Sequence, residues 1–184
     1  MVTAPQKYLF DVVTYHKMGE AKLLSPTTRL ELIAGEIIQM APMGPVHADI
    51  ISILDELFHN RIGQLMKIRV QLPIQLGDFS EPEPDIAVVQ RRRYLETHPT
   101  AQDVLLLIEV ADSSIKHDLE TKIPLYAKHG IPEVWLVDVN HTQVLVHWLP
   151  TASGYEQLKR FGCGQQLTSA TLPELGIPIE DLFK

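Results

Sequence analysis

Residues 105–139 read LLLIEVADSSIKHDLETKIPLYAKHGIPEVWLVDV, and this stretch decides the fold. Val104 to Ile108 are consecutive apolar residues, the pattern of a central strand covered on both faces. A strand is expected over Asp103 to Val110, with an acid, Glu109, near its end. Ser113 or Ser114 then caps a helix that runs to about His129 and stops at Gly130. Pro124 lies inside that helix, where it removes one backbone hydrogen bond and is expected to kink it. Val134 to Val139 returns as a strand. It forms a hairpin with Val144 to Leu149 around Asn140-His141-Thr142, and Tyr155 to Phe161 extends the same sheet.

Upstream, Tyr8 to Met18 reads as a short helix ended by Gly19. Arg29 to Ile33 and Glu36 to Met40 flank Ala34-Gly35 as a hairpin, and a turn follows at Ala41 to Pro45. From His47 to Ile62, Ile50, Ile51, Leu54, Leu57, Phe58 and Ile62 recur at helical spacing, with Gly63 as the C-cap. Lys67 to Leu72 alternates as a strand. Glu81-Pro82-Glu83-Pro84 leads into a buried strand, Asp85 to Val89, and Ile179 to Phe183 closes the chain as a helical turn. No internal repeat or long linker divides residues 1–184, so a single domain is expected. Its class is α/β, a mixed sheet flanked by helices.

The net charge of −7 counts against a general nucleic-acid coat protein, whose affinity rests on Lys and Arg. It leaves a metal-dependent nuclease open, because such a site needs acids and the ion brings positive charge. The basic run Arg91-Arg92-Arg93 either touches phosphate or is a solvated loop, and the second is the plainer reading. No apolar run approaches the ~20 residues of a membrane helix. The start, MVTAPQKYLFD, lacks the pattern of a leader, and Cys163 has no partner for a disulfide. A cytoplasmic protein with no membrane contact is expected. The eight histidines form no HExxH or close pair, which speaks against zinc, and GxGxxG, P-loop and GxSxG motifs are missing.

Two acids stand where acids are costly. Asp85 opens an apolar strand, and Glu109 ends the most hydrophobic one. A buried, unpaired carboxylate costs several kcal/mol, and a divalent cation offsets that cost. Mg²⁺ or Mn²⁺ suits an oxygen-only ligand set. Lys122 lies on the following helix and shares a face with Asp118, four residues away. There it can orient a water or stabilise charge on a phosphate. Taken singly, each residue has a plainer role: Asp85 as a turn cap, Glu109 in an ion pair, Lys122 as a solvated lysine. Only the joint pattern points to a shared site.

Pro84-Asp85 followed by Glu109-Val110-Ala111 resembles the PD-(D/E)xK nuclease signature. The block from Glu109 through Ser113, Ser114, Asp118, Lys122, Tyr126, Gly130, Glu133, Trp135 and Asp138 is similar to the Uma2 family, as are Glu31 to Glu36, Ala41-Pro42 and His47. The resemblance spans roughly residues 10–180. It implies a restriction-endonuclease-like fold with Asp85 and Glu109 as metal ligands and the Val110 carbonyl completing the shell. Lys122 would stand in for the signature lysine, whose usual place holds Ala111. Glu36 would add a further acid, although it also reads as a solvated turn residue. His47 either faces the site or packs, with packing favoured. Tyr126 and Trp135 read as core aromatics and Asp138 as a turn residue.

The expected activity is Mg²⁺- or Mn²⁺-dependent hydrolysis of DNA. The alternatives are a non-catalytic nucleic-acid-binding or regulatory module that kept the fold, suggested by Ala111 and the acidic charge, and hydrolysis of another phosphodiester. A homodimer is also expected. Val144, Leu145, Val146, Trp148 and Leu149 exceed what one sheet face needs, and two-fold symmetry suits the cutting of two strands.

Overall fold

Strand β5 (Val104–Ala111) organises the molecule. The computed structural model describes residues 6–183; Met1 to Pro5, where the leader reading begins, and Lys184 lie outside them. The chain runs α1 (Val12–Glu20), β1 (Leu30–Ile33), β2 (Glu36–Gln39), α2 (Pro45–Ile62), β3 (Met66–Val70), β4 (Ile86–Gln90) and β5. It continues through α3 (Ile115–His117), a π-helical turn (Asp118–Lys122), α4 (Ile123–Lys128), β6 (Glu133–Asp138), β7 (Gln143–Thr151) and β8 (Gly154–Gly162). Two short strands, β9 (Gln166–Thr168) and β10 (Gly176–Pro178), and a 3-10 turn (Ile179–Leu182) complete it. The main sheet has the order β3-β4-β5-β6-β7-β8. All neighbours are antiparallel except β5 and β6, whose parallel pairing follows from the helical crossover between them. This is a mixed α/β single domain, and β5 is interior, as its unbroken apolar run requires.

Side chains alternate across a strand, so each strand feeds two cores. On one face, Ile50, Leu54, Phe58 and Ile62 of α2 pack on Ile86, Val88, Leu106, Ile108, Val110 and Trp135. The C-terminal segment extends this layer with Leu167, Leu172, Leu175, Ile177, Ile179 and Leu182. On the other face, Ala87, Val89, Leu107 and Val134 meet Ile123, Leu125, Tyr126 and Ile131. Residues 85 and 109 have the parity of 87 and 107, so Asp85 and Glu109 both project toward the π-turn helix.

Several boundaries differ from the sequence reading, each for a local reason. Helix α1 begins at Val12, not Tyr8, because Asp11 caps it: its Oδ1 accepts from the Thr14 N–H at 2.6 Å. Gly19 is inside that helix, and α2 starts at Pro45, whose missing N–H costs nothing at a helix start. Pro124 does not simply kink one helix. The widened π turn falls immediately before α4 and absorbs the defect. The apolar surplus of the β7 hairpin is used within the chain. Val144 and Val146 lie in the α2-side core, and Leu145 packs with Ala111, Leu136 and Ile115. Trp148 packs at the core margin and Leu149 is exposed. The apolar argument for a dimer is thereby removed. Among the described residues, no helix is long and apolar enough to cross a membrane.

Candidate active site

The antiparallel register Ile86↔Ile108 places the start of β4 beside the end of β5. Asp85 precedes β4 by one residue, and its Oδ2 accepts the Val110 N–H at 2.8 Å. Its Oδ1 accepts from Gln71 Nε2 at 3.2 Å and lies 3.1 Å from His47 Nε2. The His47 contact is close but not aligned as a hydrogen bond. His47 reaches it from the first turn of α2, so that residue faces the site and does not merely pack.

Glu109 is 3% exposed. Its Oε1 accepts from Lys122 Nζ at 3.3 Å and from the Tyr126 hydroxyl. Lys122, on the π turn, also contacts Glu31 Oε2 at 3.1 Å. One buried ammonium thus links β1 to β5. Asp118 is buried on the same turn, and its Oδ2 accepts from Ser114 Oγ at 2.7 Å. Glu109 Oε2 carries no hydrogen bond from the described residues, which leaves an oxygen available to a ligand.

These residues line a cavity of about 300 Å³, with Glu31, His47, Gln71, Asp85, Glu109, Val110, Asp118 and Lys122 in its wall. At ~30 Å³ per water, that volume holds about ten waters.

The electrostatics separate the two strand-end acids. Burial pushes Glu109 well above the usual carboxylate range; Lys122 opposes this, while Asp118 and Asp85 add to it. Burial also raises Asp85, but His47, the Val110 N–H and Gln71 outweigh it, and the net shift is downward. Burial raises Asp118 too, against Ser114 and Lys122. Burial alone would lower Lys122, but Glu109, Glu31 and Asp118 more than offset it, so the ammonium holds its proton. Burial and Glu109 keep the Tyr126 hydroxyl protonated. The donor set fits a hard divalent cation: carboxylate oxygens from Asp85 and Glu109, one of them unbonded, in a cluster whose acids outnumber its fixed cation.

Glu36 does not join this group. It sits across from Ile33 at the turn end of the hairpin, 47% exposed and paired with Lys7 Nζ at 2.8 Å. Glu31, two residues further along and opposite Ile38, supplies the hairpin's acid instead. The arginine run is anchored structurally in part. Arg91 donates to the Gly63 carbonyl, and Arg92 grips Asp103 at 2.7 and 2.8 Å. Asp138 accepts from His141 and Gln143 in the β6–β7 turn, as a turn acid should. Sequence reasoning missed Glu31, Gln71, Asp118 and Tyr126 as site members. Two signals were present: Glu31 interrupts an apolar strand as Glu109 does, and Tyr126 lies four residues beyond Lys122 on one helix face.

A six-stranded mixed sheet with a buried acidic pocket at the meeting ends of two strands defines a class of α/β domain. The family described as "Uma2: Putative restriction endonuclease" matches residues 12–180, and the chain belongs to it. The fold is similar to that of a protein from Anabaena variabilis whose crystal structure is described as that of a "putative nuclease belonging to DUF820". The TM-score is 0.70 at 22% identity, over 89% of this chain and 94% of that one. No curated protein matches the chain.

Proposed function

We propose that this protein is a divalent-metal-dependent nuclease that hydrolyses DNA phosphodiester bonds. The observation that carries the reading is the convergence of Asp85, Glu109 and Lys122 on one cavity. The family description and the nuclease title of the structural relative support it. Asp85 and Glu109 would hold Mg²⁺ or Mn²⁺, with the Val110 carbonyl as a further oxygen. When bound, such an ion supplies Lewis acidity and positive charge at the phosphate.

The chain's own residues divide the remaining work. Lys122 is held charged by Glu31 and Glu109, so it serves as a fixed cation and not as a base. Its ammonium favours the extra negative charge of a pentavalent phosphate over the ground state. Tyr126 donates to Glu109 Oε1 and so orients the carboxyl, while Oε2 has no donor among the described residues. His47 Nε2, beside Asp85 Oδ1 at the cavity wall, helps to hold that carboxylate in place, and the proton that the attacking water loses passes to solvent at the rim. The leaving oxygen takes a proton from solvent at the rim, which balances the reaction.

The test is cleavage of plasmid DNA with Mg²⁺ or Mn²⁺ by the wild type, Asp85→Ala and Glu109→Ala. Equal cleavage by all three would reject the assigned site. A second reading, a non-catalytic module on the same fold, is favoured by the engagement of Lys122 with two carboxylates. Calorimetric titration with Mn²⁺ separates the two, because carboxylate-dependent binding argues against an inert scaffold. A two-fold dimer would present two such cavities to opposite strands. Sedimentation at micromolar concentration checks it, and a monomer alone would discard that arrangement.

A further inference from the structure

A second cluster of ligating groups lies apart from the cavity just described. His16 on α1, Glu81 in the extended segment before β4, and His98 in the loop after β4 each offer one ligand atom. All three atoms lie within 4.8 Å of one another. The plain explanation is an ion pair with a neighbouring ring: His16 Nε2 is 2.7 Å from Glu81 Oε1, and the two imidazole centroids are 6.3 Å apart.

Two observations go beyond that explanation. Glu81 is 5% exposed, and its Oε2 is buried with no hydrogen-bond partner among the described residues. A half-satisfied carboxylate at that depth is costly, and native structures rarely leave one without a purpose. Glu81 is also held rigidly, because its backbone exchanges hydrogen bonds with Leu32 on β1 (2.7 and 3.3 Å). The adjacent loop is pinned too, since the Pro99 carbonyl accepts from the Gln75 N–H at 2.8 Å. The acid is therefore a fixed post, and His16, 46% exposed, is the member free to adjust. The nearby cation, Arg69, donates to the Pro73 carbonyl and forms no ion pair with Glu81 among the described residues.

We propose that His16, Glu81 and His98 form a binding site for a zinc-class divalent ion, with a fourth position open to solvent. Two imidazoles and one carboxylate are a set that such ions take, at bond lengths of about 2.0–2.2 Å. Ligand atoms around a tetrahedral ion then stand roughly 3.4 Å apart. With all three atoms within 4.8 Å and His16 Nε2 already 2.7 Å from Glu81 Oε1, side-chain adjustments of about an ångström or two reach that spacing. The ion would satisfy Glu81 Oε2 and clasp α1 to the segment that leads into Asp85. This site is softer than the all-oxygen cavity, so the two select different metals.

The test uses the chain of residues 1–184, stripped of metal, carrying Asp85→Asn and Glu109→Gln, which removes the two carboxylates assigned to the cavity ion. Titration with Co²⁺ is followed by ligand-field absorption, and Zn²⁺ by competition and thermal melting. One equivalent of Co²⁺ should give a low-symmetry spectrum that Zn²⁺ displaces, and Zn²⁺ should raise the melting temperature. His16→Ala and His98→Ala, at solvent-reachable positions, should each weaken binding about tenfold or more. Absence of a spectrum and of a melting shift in the parent would overturn the site. So would binding undiminished in both histidine variants, provided each melts as the metal-free parent does.

Discussion

Two glutamates on adjacent strands of one sheet are equally hidden, and they have opposite chemical characters. Glu133 opens β6 and is fully buried; Glu109 lies near the end of β5 and is almost so. Glu133 has both oxygens engaged. Trp135 Nε1 donates to Oε1 at 2.6 Å, and Ser169 Oγ, the Thr171 N–H and the Thr171 hydroxyl each donate to Oε2 at 2.8 Å. Four donors make it a structural tie between β6 and the C-terminal segment. Glu109 has donors at one oxygen and none at the other. Burial alone therefore does not mark a reactive acid. The mark is a buried carboxylate whose hydrogen bonding the fold leaves unfinished.

The comparison can be broken most directly at Glu109. Glu109→Gln should reduce metal-dependent DNA cleavage by about a thousandfold, the scale of losing one essential electrostatic group. It should leave the metal-free melting temperature unchanged or raised, because a destabilised carboxyl is removed. A melting temperature several degrees lower would show Glu109 to be structural after all. Glu133→Ala should do the reverse. It strands four donors and should cost about 3 kcal/mol of stability, read by denaturant titration of tryptophan fluorescence. Residual cleavage should track the folded fraction, and a full-strength loss in folded protein would merge the two acids into one class.

The pH dependence sharpens the same contrast. The folded state binds the Glu109 proton more tightly than the unfolded chain does. That contribution to stability is complete below the unfolded value and is lost as pH rises through the raised folded one. Asp85, shifted downward, contributes stability above its unfolded value that is lost as pH falls through the depressed folded value. Mn²⁺ competes with the Glu109 proton, so its affinity should climb as pH rises toward the raised folded value. Calorimetry in buffers of different ionisation heat would detect the released proton, and a pH-independent affinity would remove Glu109 from the ligand set. The smallest effect is expected at Tyr126→Phe. Loss of one hydroxyl donor should cost about 1 kcal/mol and raise the Glu109 pKa further, seen as a shifted pH profile of cleavage.

The sheet core was legible because β5 and α2 advertise themselves: an unbroken apolar run and an apolar stripe at helical spacing. Asp85 and Glu109 were legible because an acid at the end of such a strand is anomalous. Lys122 needed the helix face and the resemblance of the surrounding block. Glu36 was chosen over Glu31 because a four-residue hairpin arm does not reveal which of its acids lies near the turn. A shift of two residues, roughly 7 Å along the strand, decides it. The π turn was hinted at only by Pro124. The His16–Glu81–His98 cluster was invisible, because its members are separated by 65 and 17 residues and no local spacing rule spans such gaps.

The π turn carries one more consequence. Each residue added to or removed from an α-helix swings the following side chains by about 100°. Asp118 to Lys122 absorb such an offset locally, presenting Lys122 to the cavity without moving β5 or β6. The strand position occupied by Ala111 carries no charge and packs against Leu136 and Leu145. The lysine stands on a turn whose widened winding sets its direction independently of the sheet beneath it.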